Sequence, residues 1–442
     1  MNGKKRGFHR FDDVRSCLDR VLATSVADET EVVWLERRRG RASSRADEAP
    51  LIEDPRLTVL VRVVEAGRQG WYRTDTPDAN LLESGVRQAL AMAKVREKLK
   101  RRPVMPTDGE EYRAPRRLLD REISHLTPKA AQDLLGALCA DEEAARLAWS
   151  DTRLVICNSH GLRRSAASTE ATLYVAAGRG AGSGFAAASA RRLADLEPEA
   201  VRDRARRLRG HGTPAAPPAA PVPVALAGEA TVQWLSVLNA FAFSGRSFLD
   251  GTSLLARHRN VQVFDRKFNL RDDGTAPGLS FPFDFEGSQK RCLDLIVEGT
   301  PSTPALSHAQ SQQAGLAPTA QAVGGQEALF SHLFLLPGES AEAELLAAAD
   351  GGLFVGWVDR AECYDPAHLR VRMVARGVRR IAGGELAEPV ADFVWHESLL
   401  AALARLRAIG ESPVVLATAT TPLGGISAPA VVLEESGKFQ AL

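Results

Sequence analysis

Apolar side chains in this chain recur at two spacings, and the spacing changes along its length. Phe11, Val14, Leu18, Val21 and Leu22 fall three and four residues apart, the repeat of one helical face, so the chain is expected to open with a helix. Glu31–Leu35 is rich in β-forming residues and reads as a strand, and Gly40 offers a turn into a second strand at Arg41–Arg45. Leu57–Val64 and Gly70–Thr74 read as a hairpin bent at Ala66-Gly67. Leu81, Leu82, Val86, Leu90 and Ala93 mark a long amphipathic helix ending near Arg101, before Pro103.

A second α/β unit follows. Pro128–Leu138 has the helical repeat, Leu154–Asn158 is a strand running into the turn Asn158-Ser159-His160-Gly161, and Ser168–Ala176 is its antiparallel mate. Val201–Leu208 is helical and stops at Gly210, and the Pro- and Ala-rich residues 211–223 form a linker. Beyond it, short β-type runs are separated by turn residues: 261–264, 292–297, 329–336, 353–358, 369–374, 390–394, 414–416 and 431–433. Helical patterns at Glu229–Phe241 and Ser398–Ile409 interrupt them. This succession predicts an α+β fold rather than a doubly wound sheet. Antiparallel hairpins pack on helices in an N-terminal α/β domain (1–105) and a central α/β segment packing with it (106–210). The linker then leads to an antiparallel β-rich C-terminal domain (224–442). No internal repeat is evident in the sequence.

Bulk composition narrows the function classes. An apolar fraction of 45% and a charged fraction of 25% in 442 residues are those of a soluble globular protein. Lys+Arg 56 against Asp+Glu 55 leaves a net charge of +1, so no strong field attracts nucleic acid or an acidic membrane. The five cysteines are scattered and form no CxxC pair, which fits free thiols in a reducing compartment. The basic start, Met1–Arg10, is not followed by an apolar run, and no stretch reaches the ~18 apolar residues of a membrane span. A cytoplasmic location is expected.

Each candidate chemistry has a plain structural alternative. A one-helix zinc site needs imidazoles a turn apart. The nine histidines include no such pair, His308 and His332 being nearest at 24 residues apart. His396-Glu397 begins like a zinc-peptidase motif, but Leu400 and Ala401 stand where its second histidine belongs, so His396 reads as the exposed start of an amphipathic helix. Glu122 and His125 have i, i+3 spacing and stand alone. Gly245-Arg246-Ser247 and Gly425-Ile426-Ser427 lack the closing glycine of a nucleophile elbow, and Ser159-His160 sits on a tight turn, so turn and cap roles are expected for these serines. The glycine-rich run Gly178–Gly184 follows the second arm of a hairpin and reads as a connection, not a dinucleotide loop.

One ordered set of landmarks remains: Ser244-Gly245-Arg246-Ser247-Phe248-Leu249, then Asp272-Asp273-Gly274-Thr275, then Phe283-Asp284-Phe285-Glu286-Gly287. In order and spacing they resemble the TldD/PmbA family, also called modulators of DNA gyrase. The hairpin residues Val61-Arg62-Val63, Gly67-Arg68 and Gly70, with Ala91–Lys94, resemble that family's N-terminal domain. Catalytic members carry a His-Glu-x-x-x-His helix just upstream of the first landmark and a late cysteine ligand. Here those stretches read Glu229–Phe241, without histidine, and Leu416–Gly424, without cysteine. The pattern therefore resembles the PmbA, or TldE, subunit.

That resemblance implies a non-catalytic subunit of a heterodimeric zinc metallopeptidase acting on unfolded peptides. It would have no catalytic or metal-binding residue and no cofactor of its own, the zinc residing in a TldD-like partner. A self-sufficient homodimeric hydrolase and a regulatory protein binding gyrase or DNA stand as alternatives. Asp272, Asp273, Asp284 and Glu286 could serve acid–base chemistry or a hard cation, or simply shape turns. With Ser244, Gly245, Ser247 and Gly287 they are expected to form a groove lip or a subunit contact. Two departures from the PmbA pattern bear on specificity: Ser288-Gln289-Lys290-Arg291 after the acidic landmark, and Tyr364-Asp365-Pro366.

Overall fold

The computed structural model describes residues 7–442 except 46–48, 54, 100, 103, 108–110, 114–115, 141 and 325–326. Pro103, expected to stop the second helix, and the first six residues of the basic start lie outside the described residues. The first half of the chain forms one eight-stranded sheet. At its centre Glu29–Ser43 runs antiparallel to Glu143–Asn158. Arg56–Glu65 and Arg68–Thr74 extend the sheet on one side, Arg163–Ala177 and Gly184–Ala190 on the other. The hairpin bend is at Ala66-Gly67 as expected, both residues having positive φ (48° and 75°).

Gly40 does not turn the chain. It lies inside the unbroken strand Glu29–Ser43 opposite Trp149, and a Cβ there would stand 2.1 Å from the indole ring. The glycine makes room for a buried tryptophan, a requirement set by a residue more than a hundred positions away.

The two halves of this sheet follow the same course. Helix Phe11–Ala23, three main strands and helix Ala79–Val95 are echoed by helix Pro128–Leu138, three strands and helix Pro198–Leu208. At the centre, Arg37 faces Thr152 and Arg38 faces Asp151, so the halves meet about a pseudo-two-fold point. Each half uses one glycine to bring its last strand against its last helix. A Cβ on Gly70 would lie 1.9 Å from the Ala89 carbonyl oxygen, and one on Gly184 would lie 1.9 Å from that of Ala205. The repetition is architectural, carried by element order and these contacts rather than by residue identity.

All four helices cover one face of the sheet. Leu18, Leu82, Val86 and Ala93 pack on Val32, Trp34, Val59 and Val61, while Leu135, Val201 and Ala205 pack on Leu147, Trp149, Leu173 and Val175. The opposite face meets the C-terminal half. There Val33, Leu154 and Ile156 contact Phe281, Phe283, Phe285 and Leu423.

The C-terminal half is built on a twelve-stranded sheet. Most neighbours are antiparallel, but His332–Leu335 pairs in parallel with Gly425–Ser436, and Val222–Leu226 with Leu353–Asp365. Residues 222–226, at the end of the Pro/Ala stretch, thus form an inner strand, and Ala215 bridges Val390. Helix Gly228–Ala242 packs against this sheet with Val232, Trp234, Leu235 and Leu238 buried, Trp234 lying 5.2 Å from the Trp395 ring. Among the described residues no helix is long and apolar enough to cross a membrane.

Three local expectations are corrected. Residues 261–264 are not a strand; Val263 and Phe264 donate backbone bonds to the Gly299 carbonyl in a loop. The helix expected over Ser398–Ile409 is the single turn Leu399–Leu403, after which Leu406–Leu416 becomes a strand paired with Gly425–Ser436. Leu406 and Ile409 have helical spacing, but a bulge after Leu406 sets them opposite Leu433 and Val431, so the strand buries both. His396 accordingly lies in the strand Phe393–Ser398, not at a helix start.

Replacing Gly70 or Gly184 by alanine should each destabilise the protein by about 1–3 kcal/mol, because the new methyl meets backbone rather than a movable side chain. Gly136→Ala, inside helix Pro128–Leu138 with nothing within 4 Å, should instead stabilise it by about 0.5–1 kcal/mol. Urea unfolding of the three variants checks the opposite signs.

Candidate functional site

The acidic landmarks fold into the boundary between the two halves. Asp284 is 1% exposed and accepts backbone hydrogen bonds from Glu286 (2.9 Å), Ser288 (2.9 Å) and Ala322 (3.0 Å). The turn closes on Gly287, whose φ of +80° favours glycine and whose carbonyl accepts from Arg164 Nε at 3.1 Å. Glu286 accepts from Arg62 Nη1 at 2.5 Å and from the His308 backbone N–H at 2.6 Å. Arg62 also forks onto Glu31, at 3.1 and 3.0 Å. One buried guanidinium thus joins carboxylates from both halves.

Two carboxylates around a single cation leave this cluster one negative charge in excess. Burial, and then the charge of Glu286, raise the Glu31 pKa to about 7 against the pull of Arg62. Burial and Glu286 likewise raise Asp284 to about 7. Asp272 is fully buried a little further on. It accepts from the backbone N–H groups of His332 (2.8 Å) and Ser331 (3.2 Å) and from Gln321 Nε2 (2.6 Å). Gln321 in turn accepts from Lys290 Nζ at 2.5 Å. Burial raises Asp272 and lowers Lys290. Asp273 stands apart, capping the turn at Thr275 through its backbone N–H and hydroxyl.

Ser244, Gly245 and Ser247 begin the short helix Gly245–Leu249, where Ser244 Oγ accepts the Ser247 N–H at 3.4 Å. Gly245 is a glycine because a Cβ would stand 2.2 Å from the Ala305 carbonyl oxygen. This helix flanks a cleft of about 240 Å³ whose other wall is the edge strand Arg68–Thr74, with Gln69, Trp71 and Arg62. The predicted residues therefore separate into a buried acidic knot and a cleft margin, linked through Arg62.

Helix Gly228–Ala242 and the stretch 416–424 do meet. Ser236 Oγ lies 2.8 Å from Thr420 Oγ1. Asn239 Nδ2 donates to the carbonyls of Thr420 (2.9 Å) and Phe330 (2.8 Å), while its Oδ1 accepts from the Phe330 N–H (3.2 Å). These are neutral hydroxyl and amide groups already committed to one another. Zinc takes thiolate, imidazole or carboxylate donors, so this set does not fit it. Among the described residues no three His, Cys, Asp or Glu side chains converge where they could hold a metal ion.

The remaining motifs resolve as local structure. Ser159 Oγ accepts the Thr30 N–H at 3.0 Å, and His160 Nε2 reaches Glu29 at 3.1 Å. His125 bonds the Arg121 carbonyl, not Glu122. Ser427, expected at a turn, is buried within the strand Gly425–Ser436, between Phe334 and Val415. Gly178–Gly184 connects two antiparallel strands. Pattern reading missed Glu31, Arg62 and Arg191. Arg191 is buried, burial lowers it to about 10, and it donates to carbonyls of Thr169, Leu279, Ser280 and Leu423. A charged residue at an inward position of an otherwise apolar strand, as in Val61-Arg62-Val63, was the available signal.

Arg62→Ala should cost about 3–5 kcal/mol in urea unfolding, since it leaves Glu31 and Glu286 buried without a cation. A second expectation concerns pH. Glu31 and Asp284 titrate above the ordinary carboxylate range, so the folded chain holds protons that the unfolded chain releases. Their contribution to stability is largest on the acid side and falls as pH rises toward 7. His332, lowered by burial to about 3, works in the opposite direction. Glu286→Gln removes the shared charge that raises both carboxyls while leaving His332 alone. The variant should therefore lose less stability than the parent between about pH 5 and about pH 8, as measured by thermal melting.

Residues 219–437 match the PmbA/TldA metallopeptidase C-terminal domain. Comparison with curated proteins finds no match. Among solved structures, a modulator of DNA gyrase from Thermotoga maritima superposes with a TM-score of 0.80 at 21% identity, covering 97% of this chain and 100% of that one. TldE from Thermococcus kodakarensis gives 0.80 at 18%, over 96% and 98%. A modulator of DNA gyrase from Bacteroides thetaiotaomicron gives 0.75 at 16%, over 98% and 99%. These likenesses establish a common fold along the chain. With its C-terminal half carrying the family's own domain and the whole chain its architecture, the protein belongs to the TldD/PmbA family.

Proposed function

We propose that this chain is the non-catalytic, TldE-like subunit of a heterodimeric zinc metallopeptidase that degrades or processes unfolded peptides in the cytoplasm. A TldD-like partner bearing His-Glu-x-x-x-His would supply the zinc. The observation that carries this reading is the contact between helix Gly228–Ala242 and the 416–424 stretch. The two elements that resemble the metal-bearing parts of catalytic members are packed together, yet they meet through Ser236, Asn239 and Thr420. The packing survives while the donors for a metal do not.

The role left to such a chain is to shape the chamber and hold substrate. The edge strand Arg68–Thr74 borders the cleft opposite helix Gly245–Leu249. An extended peptide laid along that edge would bond through its backbone and so be read with little regard to sequence. Arg62 at the cleft's base ties that strand's neighbour to the C-terminal half, which would keep the two walls at a constant separation.

Co-expression with a His-Glu-x-x-x-His-bearing homologue, followed by size measurement, elemental analysis and digestion of an unfolded protein, tests the proposal. The isolated chain should lack stoichiometric zinc and turnover, and the co-purified complex should show both. Tightly held zinc together with turnover in the isolated chain would overturn it in favour of a self-sufficient hydrolase.

A further inference from the structure

The sheet face turned toward the C-terminal half is apolar at one end and cationic at the other. Arg37, Arg39 and Arg41 alternate along Glu29–Ser43 and so project to one side. Across the ladder, Arg39 faces Ser150, which faces Glu170, while Arg41 faces Ala148, which faces Thr172. The 418–423 loop, rich in threonine, lies over this face. Its approach is tied down by the Ala417 N–H donating to Ser189 Oγ at 3.0 Å, and Ser189 Oγ lies 2.7 Å from Thr172 Oγ1. Between sheet and loop is a cleft of about 580 Å³.

The charges in that cleft do not balance. Arg37, Arg39 and Arg41 line it together with Glu53 and Glu170. Glu53 is taken by Arg56 at 3.1 Å, outside the cleft lining. Glu170 is set among Arg37, Arg39 and the buried Arg191. Arg39 and Arg41 are exposed, and among the described residues their side chains take no hydrogen bond or ion pair. In the smaller cleft, by contrast, Arg62 is bound to two carboxylates and Arg96 covers the Trp71 ring. Guanidinium forks held on a rigid strand suit carboxylate oxygens.

We propose that this arginine-lined cleft under the 418–423 loop binds an acidic segment of a peptide, with Arg39 and Arg41 gripping its carboxylates. The peptide nature of the ligand rests on the function proposed above; the anionic character rests on the cleft alone. The site adjoins the contact between Thr420 and the Gly228–Ala242 helix. An acidic segment held there would lie beside the elements that resemble the catalytic centre of active members, giving the assembly a preference for acidic sequences.

The test uses the isolated full-length chain, so it does not require a partner or turnover. A fluorescein-labelled peptide with several Asp and Glu residues is titrated by anisotropy alongside its Asn/Gln counterpart. The acidic peptide should bind at least roughly tenfold more tightly, with affinity falling as salt rises. Arg39→Gln and Arg41→Gln, both at exposed positions, should each weaken it by about tenfold while leaving the melting temperature unchanged. Equal binding of both peptides, or undiminished binding by both variants, overturns the proposal. Displacement of the peptide by succinate at equal concentration would mark a site for small carboxylates and overturn the peptide assignment. Acid-selective binding by the chain, with no cleavage by the co-expressed pair, would sustain this site while sinking the proposed peptidase role.

Discussion

A single guanidinium shared by two buried carboxylates holds the halves of this protein in register. Arg62 reaches Glu31 within its own sheet and Glu286 across the boundary. Paired charges of this kind are costly to bury and costlier to break, so the position of one half constrains the other closely. Arg191 adds a second tie, from the same sheet to carbonyls at Leu279, Ser280 and Leu423. The acidic landmark that marks the family in sequence is, in this chain, half of that joint.

Given the joint, the rest of the boundary can be divided between apolar and polar work. Phe281, Phe283 and Phe285 cover the part of the sheet nearest Arg62, where Val33, Leu154 and Ile156 are buried. Further along the same strands the face turns polar, and the 418–423 loop spans it without filling it. The cleft is open because arginine side chains without partners cannot be packed dry. The interior contact of helix Gly228–Ala242 with Thr420 closes the other side of that loop, and its neutral hydrogen bonds need no ion to hold them.

Much of the N-terminal fold was legible in the apolar pattern. The Ala66-Gly67 hairpin, the helices Ala79–Val95 and Pro128–Leu138, and the strands meeting at Asn158 all follow from spacing and turn chemistry. Gly40 misled because a glycine within a strand has the same local signature whether the chain bends there or a distant indole needs the room. Residues 398–409 misled because Leu399, Leu403, Leu406 and Ile409 have helical spacing, while the strand that forms there buries Leu406 and Ile409 together through a bulge that no local pattern announces. The doubled course of the first half was invisible for a different reason: backbone order repeats while side chains do not, Gly70 and Gly184 apart.

At the site, residue types carried more than positions did. Absent imidazoles and thiolates in two stretches are facts of composition, and no folding can restore them, because a donor atom must exist before geometry can aim it. The order and spacing of the acidic landmarks likewise belonged to the chain alone, and with them the family. Whether Asp284 and Glu286 lined a groove or were sealed inside was decided only when Arg62, 224 residues from Glu286, came to lie against it. The imbalance of Arg39 and Arg41 is of the same kind. A nearly neutral sequence says nothing of local charge, since which cations find partners depends on the strands and loops that tertiary packing sets beside them.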